Sequence, residues 1–268
     1  MLQISVVPLE QAAQEQLDEY QEEIDDVADY AARVALAKRR FGSRNRIGNA
    51  TFDDIKLKLD SMCRGPRRCM YCEDSFADEV EHFKPKDLYP EVVFAWDNYL
   101  YACGPCNGPK NNKFAVLDNN ANLEIVTRRR NAPVVPPLAG SPCLIDPRIE
   151  DPLNFIMLDL RDTFEFTSIA DPDSVDETRA DYTIEILRLN ERDYLIDARF
   201  SAFSSFHSRL YEYVDRKNNG ASQDELDLKQ EGIRRSPHPT VWAEMKRQRN
   251  AYPQLSELFD AAPEALAF

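Results

Sequence analysis

The stretch Cys69–Lys113, CMYCEDSFADEVEHFKPKDLYPEVVFAWDNYLYACGPCNGPKNNK, decides how this chain is read. It opens with Cys69-Met-Tyr-Cys72 and carries a second pair, Cys103-Gly-Pro-Cys106, thirty residues further on. Two thiolates separated by two residues form one knuckle, and two knuckles close a tetrahedral zinc site. Four cysteine ligands leave zinc no open position for water. The expected Zn2+ is therefore structural, and any chemistry has to come from other side chains. His82, Asn98 and Asn107, with Glu81 directly before the histidine, are the polar residues within reach in sequence.

Around these residues the pattern suggests short strands and a helix. Val80–Phe83 reads as a strand ending at Lys84-Pro85, and strict alternation sends Glu81 and His82 to opposite faces unless the strand kinks there. Val92–Trp96 is a second strand candidate, and a helix is expected to begin near Asn107. Upstream, Ala13, Leu17, Tyr20, Ile24, Val27, Ala31 and Val34 recur at steps of four and three, which predicts one long helix over residues 9 to 37. Such a stripe can pack on its own domain or form a short coiled-coil seam. Thr51 is a candidate N-cap for a second helix with Phe52, Ile55 and Leu59 on one face. Downstream, residues 131 to 147 hold five prolines and predict a strap without regular structure. A hairpin around Arg161-Asp162 follows, then helices through Thr183–Leu189, Ile196–Val214 and Val241–Met245.

The expected architecture is thus α+β and mainly helical. An N-terminal helical arm (1–60) precedes a zinc unit (61–130) and a Pro-rich linker, hairpin and helical C-terminal region (131–268). No apolar run approaches the roughly 20 residues of a membrane span, and the first residues lack a basic-then-apolar signal, so a cytoplasmic location is expected. Four of six cysteines fall in CxxC pairs, which fits zinc in a reducing compartment and leaves Cys63 and Cys143 as free thiols. The net charge of −14 opposes nucleic-acid binding, yet it is unevenly spread. Residues 1 to 30 hold nine acids and no base, whereas 31 to 70 hold eleven bases and three acids. Basic residues including Arg67 and Arg68 therefore precede the first knuckle, where a strand could meet them or where they simply form a solvated face.

The strings CMYCED, VEHFKPK and WDNYLYACGPCN, with Lys110 following, resemble the HNH (His-Me finger) nucleases. Together with YPE and the C-terminal TIEILRLN, they are similar to the HNH subunit of Septu-type and retron-associated antiphage defence systems. The resemblance implies a ββα-metal unit pinned by the four cysteines, with His82 as general base and Asn98 fixing the loop that presents it. It also implies Glu81 and Asn107 as ligands of a catalytic divalent ion, Mg2+ or Mn2+. Glu81 stands where many members have Asp, and Asn107 where many have His. Lys110 and Lys113 are candidates for phosphate contact. The implied function is endonucleolytic cleavage of DNA beside an ATPase partner, in a defence complex. Two alternatives share much of the motif: an RNase acting on structured RNA such as tRNA, and a zinc-stapled adaptor that needs only the cysteines.

Overall fold

The computed structural model describes all 268 residues. Nine α-helices and seven short strands make an α+β chain that is about half helical. Helix α1 (Gln11–Asp25) and helix α2 (Tyr30–Arg44) are packed against each other. The long helix expected over residues 9 to 37 is broken between them, because the Asp29 carboxylate accepts from Ala32 N at 2.8 Å and starts a new helix. The fold-back brings Arg40 and Arg44 to Glu23 and lays Arg44 over the Tyr20 ring. Ala13, Leu17, Tyr20 and Ile24 are buried within the chain itself, so the stripe packs on its own domain. Helix α3 (Ala50–Ser61) is capped by Asn49, two residues before the expected Thr51, and buries Phe52, Ile55 and Leu59 completely.

Strands β1 (Glu79–His82) and β2 (Tyr99–Ala102) pair antiparallel, with Glu81 opposite Leu100 and His82 opposite Tyr99. The Val92–Trp96 run is not a strand. It lies between two 3-10 turns, Pro90–Val92 and Trp96–Asn98, and the strand begins only at Tyr99. Pro90 lacks the amide a ladder would need there, and Val93 and Phe94 are buried from all sides instead of alternating. Helix α4 (Gly104–Lys110) starts three residues earlier than expected, with Pro105 in its first turn, where no intrahelical amide bond is lost.

The chain then makes a small antiparallel sheet from β3 (Ala115–Leu117), β4 (Leu123–Ile125) and β5 (Ser141–Pro142), in the order β4-β3-β5. Most of the Pro-rich segment before β5 is an exposed strap. Strands β6 (Ile156–Leu158) and β7 (Phe166–Ser168) form the expected hairpin. Helices α5 (Val175–Ile186), α6 (Asp193–Asn218), α7 (Gln223–Arg234), α8 (Pro239–Gln248) and α9 (Pro253–Ala261) complete the chain. One apolar core runs from the N-terminal helices through the β1–β2 ribbon into α6, α8 and α9. No helix is long and apolar enough to cross a membrane.

The strap is seated by Gly140, where an added Cβ would lie 2.4 Å from Leu117 O and 2.9 Å from the Val116 side chain. Gly140→Ala is expected to force the strap off β3 and lower stability by about 1–3 kcal/mol. Denaturant unfolding checks the loss, and hydrogen exchange at Leu117 and Cys143 checks its location.

Candidate metal centre and adjoining histidine site

The two knuckles meet because β2 ends at Cys103 beside the turn that carries Cys69 and Cys72. Met70 N donates to Tyr101 O, and Cys69 N to Ser75 O, which folds the first knuckle back against the ribbon. Cys103 then caps α4, and Cys106 N returns to Cys103 O. The four buried Sγ atoms all lie within 4.8 Å of one another, and Cys72 Sγ is 3.8 Å from Cys103 Sγ. A tetrahedron of Zn–S bonds of about 2.3 Å has edges of about 3.8 Å, so the donor set fits one zinc ion. All six cysteines are free of disulfides. From α6's leading turn, Arg192 Nη2 reaches Cys106 Sγ at 3.3 Å, an outer contact that favours a thiolate there. Away from the cluster, burial pushes the Cys63 and Cys143 thiols up to about 11, so both are protonated at neutral pH.

His82 is 3% exposed and sits in an aromatic nest. Its ring stands edge-on to Phe41 (centroids 4.3 Å apart) and Tyr99 (5.3 Å). Its Nε2 lies 3.0 Å from Val93 O, which also accepts from the Tyr99 hydroxyl at 2.7 Å. A carbonyl can only accept, so Nε2 carries the proton in the neutral ring and Nδ1 holds the lone pair. Burial, with Lys86 as the next cause, pushes the His82 pKa well below its ordinary 6.5.

Asn98 holds the loop that presents this carbonyl. It is 5% exposed, accepts from Lys84 N at 2.7 Å, and donates to Lys84 O at 3.1 Å and Val92 O at 2.9 Å. Its own carbonyl accepts from Phe83 N at 2.9 Å. One amide thus pins both ends of residues 84 to 92.

The opposite face of β1 meets α4. Glu81 forms a buried ion pair with Lys110, whose Nζ also donates to His82 O at 2.8 Å. The pair lacks hydrogen-bond alignment at Glu81 Oε1, and burial raises the Glu81 pKa against the pull of Lys110. Asn107 donates to Glu79 Oε2 at 2.6 Å. Glu81 and Asn107 are therefore not joined in this arrangement: an ammonium occupies the cationic position beside Glu81, and a second carboxylate holds the asparagine. As arranged, these residues do not fit a divalent ion.

The remaining candidates scatter. Lys110 is fully buried and Lys113 is exposed. Arg67 donates to Ala77 O and to the Tyr101 hydroxyl and lies between the Phe76 and Tyr101 rings. Arg68 lines a recess with Asp74 and His238. His238, which has no partner recognisable from sequence, is buried with Nε2 3.4 Å from Asp74 Oδ1. His207, on α6, is half-buried. Sequence reasoning did not single out Lys86 or Arg192. It left Glu79 open between an outer contact of the site and a solvated charge, and the residue lies two positions from Glu81 on the same face of the strand.

Asn98→Asp keeps the acceptor for Lys84 N and loses both donors, leaving Lys84 O and Val92 O without their partner. The expected loss is about 2–4 kcal/mol in urea unfolding, with the cysteine cluster still able to bind zinc.

The chain is similar to the Septu protein PtuB of Bacillus thuringiensis, with 41% identity over 68 residues. That stretch is 24% of this chain and 26% of the relative, so the likeness spans about a quarter of each. No known family's profile matches the chain, and no solved structure matches it.

Proposed function

We propose that this chain is a Septu-type antiphage defence protein and an HNH endonuclease, which hydrolyses phosphodiester bonds of nucleic acid, DNA foremost, beside an ATPase partner. The likeness to PtuB supports the defence role. The observation that carries the nuclease reading is His82, held through Nε2 by the Val93 carbonyl so that Nδ1 is the basic nitrogen. Phosphodiester hydrolysis needs a water deprotonated in line with the leaving oxygen, and an imidazole that is neutral at pH 7 can accept that proton. Tyr99 and Phe41 fix the ring, Asn98 fixes the carbonyl, and the cysteine cluster fixes where β2 turns into α4. Glu81 and Asn107 qualify as divalent-ion ligands only after Lys110 leaves Glu81.

That buried Glu81–Lys110 pair favours the second reading, a zinc-stapled adaptor without chemistry. Incubation of the zinc-loaded chain with supercoiled plasmid and with tRNA, in magnesium, manganese or EDTA, separates the two. The nuclease reading expects cleavage that EDTA abolishes and that His82→Ala reduces by at least about 100-fold at unchanged zinc content. Equal cleavage by His82→Ala, or none by the zinc-loaded parent with its ATPase present, contradicts it. The pH profile adds a sign: the base form is the active one and its pKa is depressed, so the acid limb is expected below pH 6.5.

A further inference from the structure

The cations near His82 differ in whether the protein already neutralises them. Lys110 is paired with Glu81, and Lys38 with Asp87 at 2.8 Å. Arg40 and Arg44 converge on Glu23. Arg128 is turned to the Tyr30 hydroxyl and to Val135 O. Lys86 forms no ion pair or hydrogen bond, and only the more distant fields of Glu81 and Asp87 offset its charge; Lys84, likewise without an ion pair, is turned to the Tyr89 ring instead. The adjacent carboxylate, Asp87, is turned to Lys38 and to Asn112 Nδ2 at 2.6 Å. The Lys86 ammonium instead sits 5.4 Å from the centroid of the Phe41 ring, the same ring that stands 4.3 Å from the His82 imidazole. Ammonium and imidazole therefore flank one aromatic side chain.

The backbone that carries Lys86 is rigid. Pro85 precedes it, and Leu88 N and Tyr89 N both donate to Pro85 O, at 2.8 and 2.9 Å, closing a turn that Asn98 pins from the other side. A half-buried ammonium on a fixed turn beside a base is preorganised for an anion. From this geometry we infer that Lys86 is the phosphate anchor of the site, binding a non-bridging oxygen of the phosphodiester whose phosphorus faces His82. The inference rests on the nuclease reading and names the substrate group that the site grips. Burial lowers the Lys86 pKa, and a phosphate beside it would restore the charge that burial disfavours. Lys86 supplies charge at the reacting group.

DNA and RNA present the same phosphodiester monoanion, so the test uses a fluorescent DNA duplex and a fluorescent RNA hairpin in parallel arms. Anisotropy measures binding in the His82→Ala background, and cleavage is measured with His82 intact, each with Lys86, Lys86→Gln and Lys86→Arg in the full chain. For the arm that is the substrate, Lys86→Gln is expected to reduce cleavage roughly 100-fold. It should also make the slope of log affinity against log salt shallower by about one. Lys86→Arg should restore both to within about tenfold of the parent, a rescue that a packing defect would not show. Cleavage and salt slope unchanged in Lys86→Gln overturn the anchor while leaving the nuclease reading intact. Equal losses in Lys86→Gln and Lys86→Arg also overturn it, by assigning Lys86 to packing. A parent that neither binds nor cuts in either arm, with its ATPase present, overturns both readings together.

Discussion

The carbonyl oxygen of Val93 is the point on which the histidine site depends. It accepts from both His82 Nε2 and the Tyr99 hydroxyl, so it sets the tautomer of one ring and the orientation of the other. A carbonyl in a loop is a poor fixture unless the loop is held, and here two kinds of constraint hold it. Asn98 ties Lys84 to Val92 through three hydrogen bonds, and the buried Val93 and Phe94 side chains anchor the segment in the core. Each bond contributes only about 1 kcal/mol net, but each left unmade inside the core costs about 1–3 kcal/mol, so the asymmetry favours the closed loop.

The cysteine cluster works from the other end of the same ribbon. Strand β2 runs from Tyr99, beside His82, to Ala102, beside Cys103. A metal held by all four thiolates would fix the strand end and the start of α4 together, and with them the face that carries Asn107 and Lys110. The Glu81–Lys110 pair lies between the two sites. Breaking a buried ion pair by losing one partner typically costs about 3–5 kcal/mol, because the remaining charge stays buried. A cation arriving beside Glu81 lowers that cost, and a divalent ion would be such a charge, whereas the freed carboxylate would repel a phosphate. The pair therefore relates the closed arrangement of α4 to the charge state of the site.

Much of this organisation was legible in the sequence, for identifiable reasons. Metal-ligand spacing is local, so Cys69, Cys72, Cys103 and Cys106 could be grouped without knowing the fold. The α6 helix followed from its 3.6-residue periodicity, and the β6–β7 hairpin from its turn. The break between α1 and α2 was hidden because the apolar stripe continues at helical spacing across it, and only the Asp29 cap marks the stop. The Val92–Trp96 run misled because a segment buried on all sides has the composition of a strand without its alternation. Strands of two or three residues, such as β3 to β5, are too short to leave a pattern. Partnership was least legible: a sequence shows that Lys110 and Glu81 carry charge, not that they meet inside the core. Nor does it show that Lys86, four residues beyond His82, is left unpaired.

The most direct test of the account is the protonation state of the His82 side chain, read by nitrogen-15 NMR of imidazole-labelled protein at pH 7. The structure predicts a neutral ring with the proton on Nε2 and a bare Nδ1, shifted toward the pattern of an accepting nitrogen. A proton on Nδ1, or a doubly protonated imidazolium, would contradict the Val93 carbonyl as the element that sets the His82 tautomer, and with it the role proposed for His82.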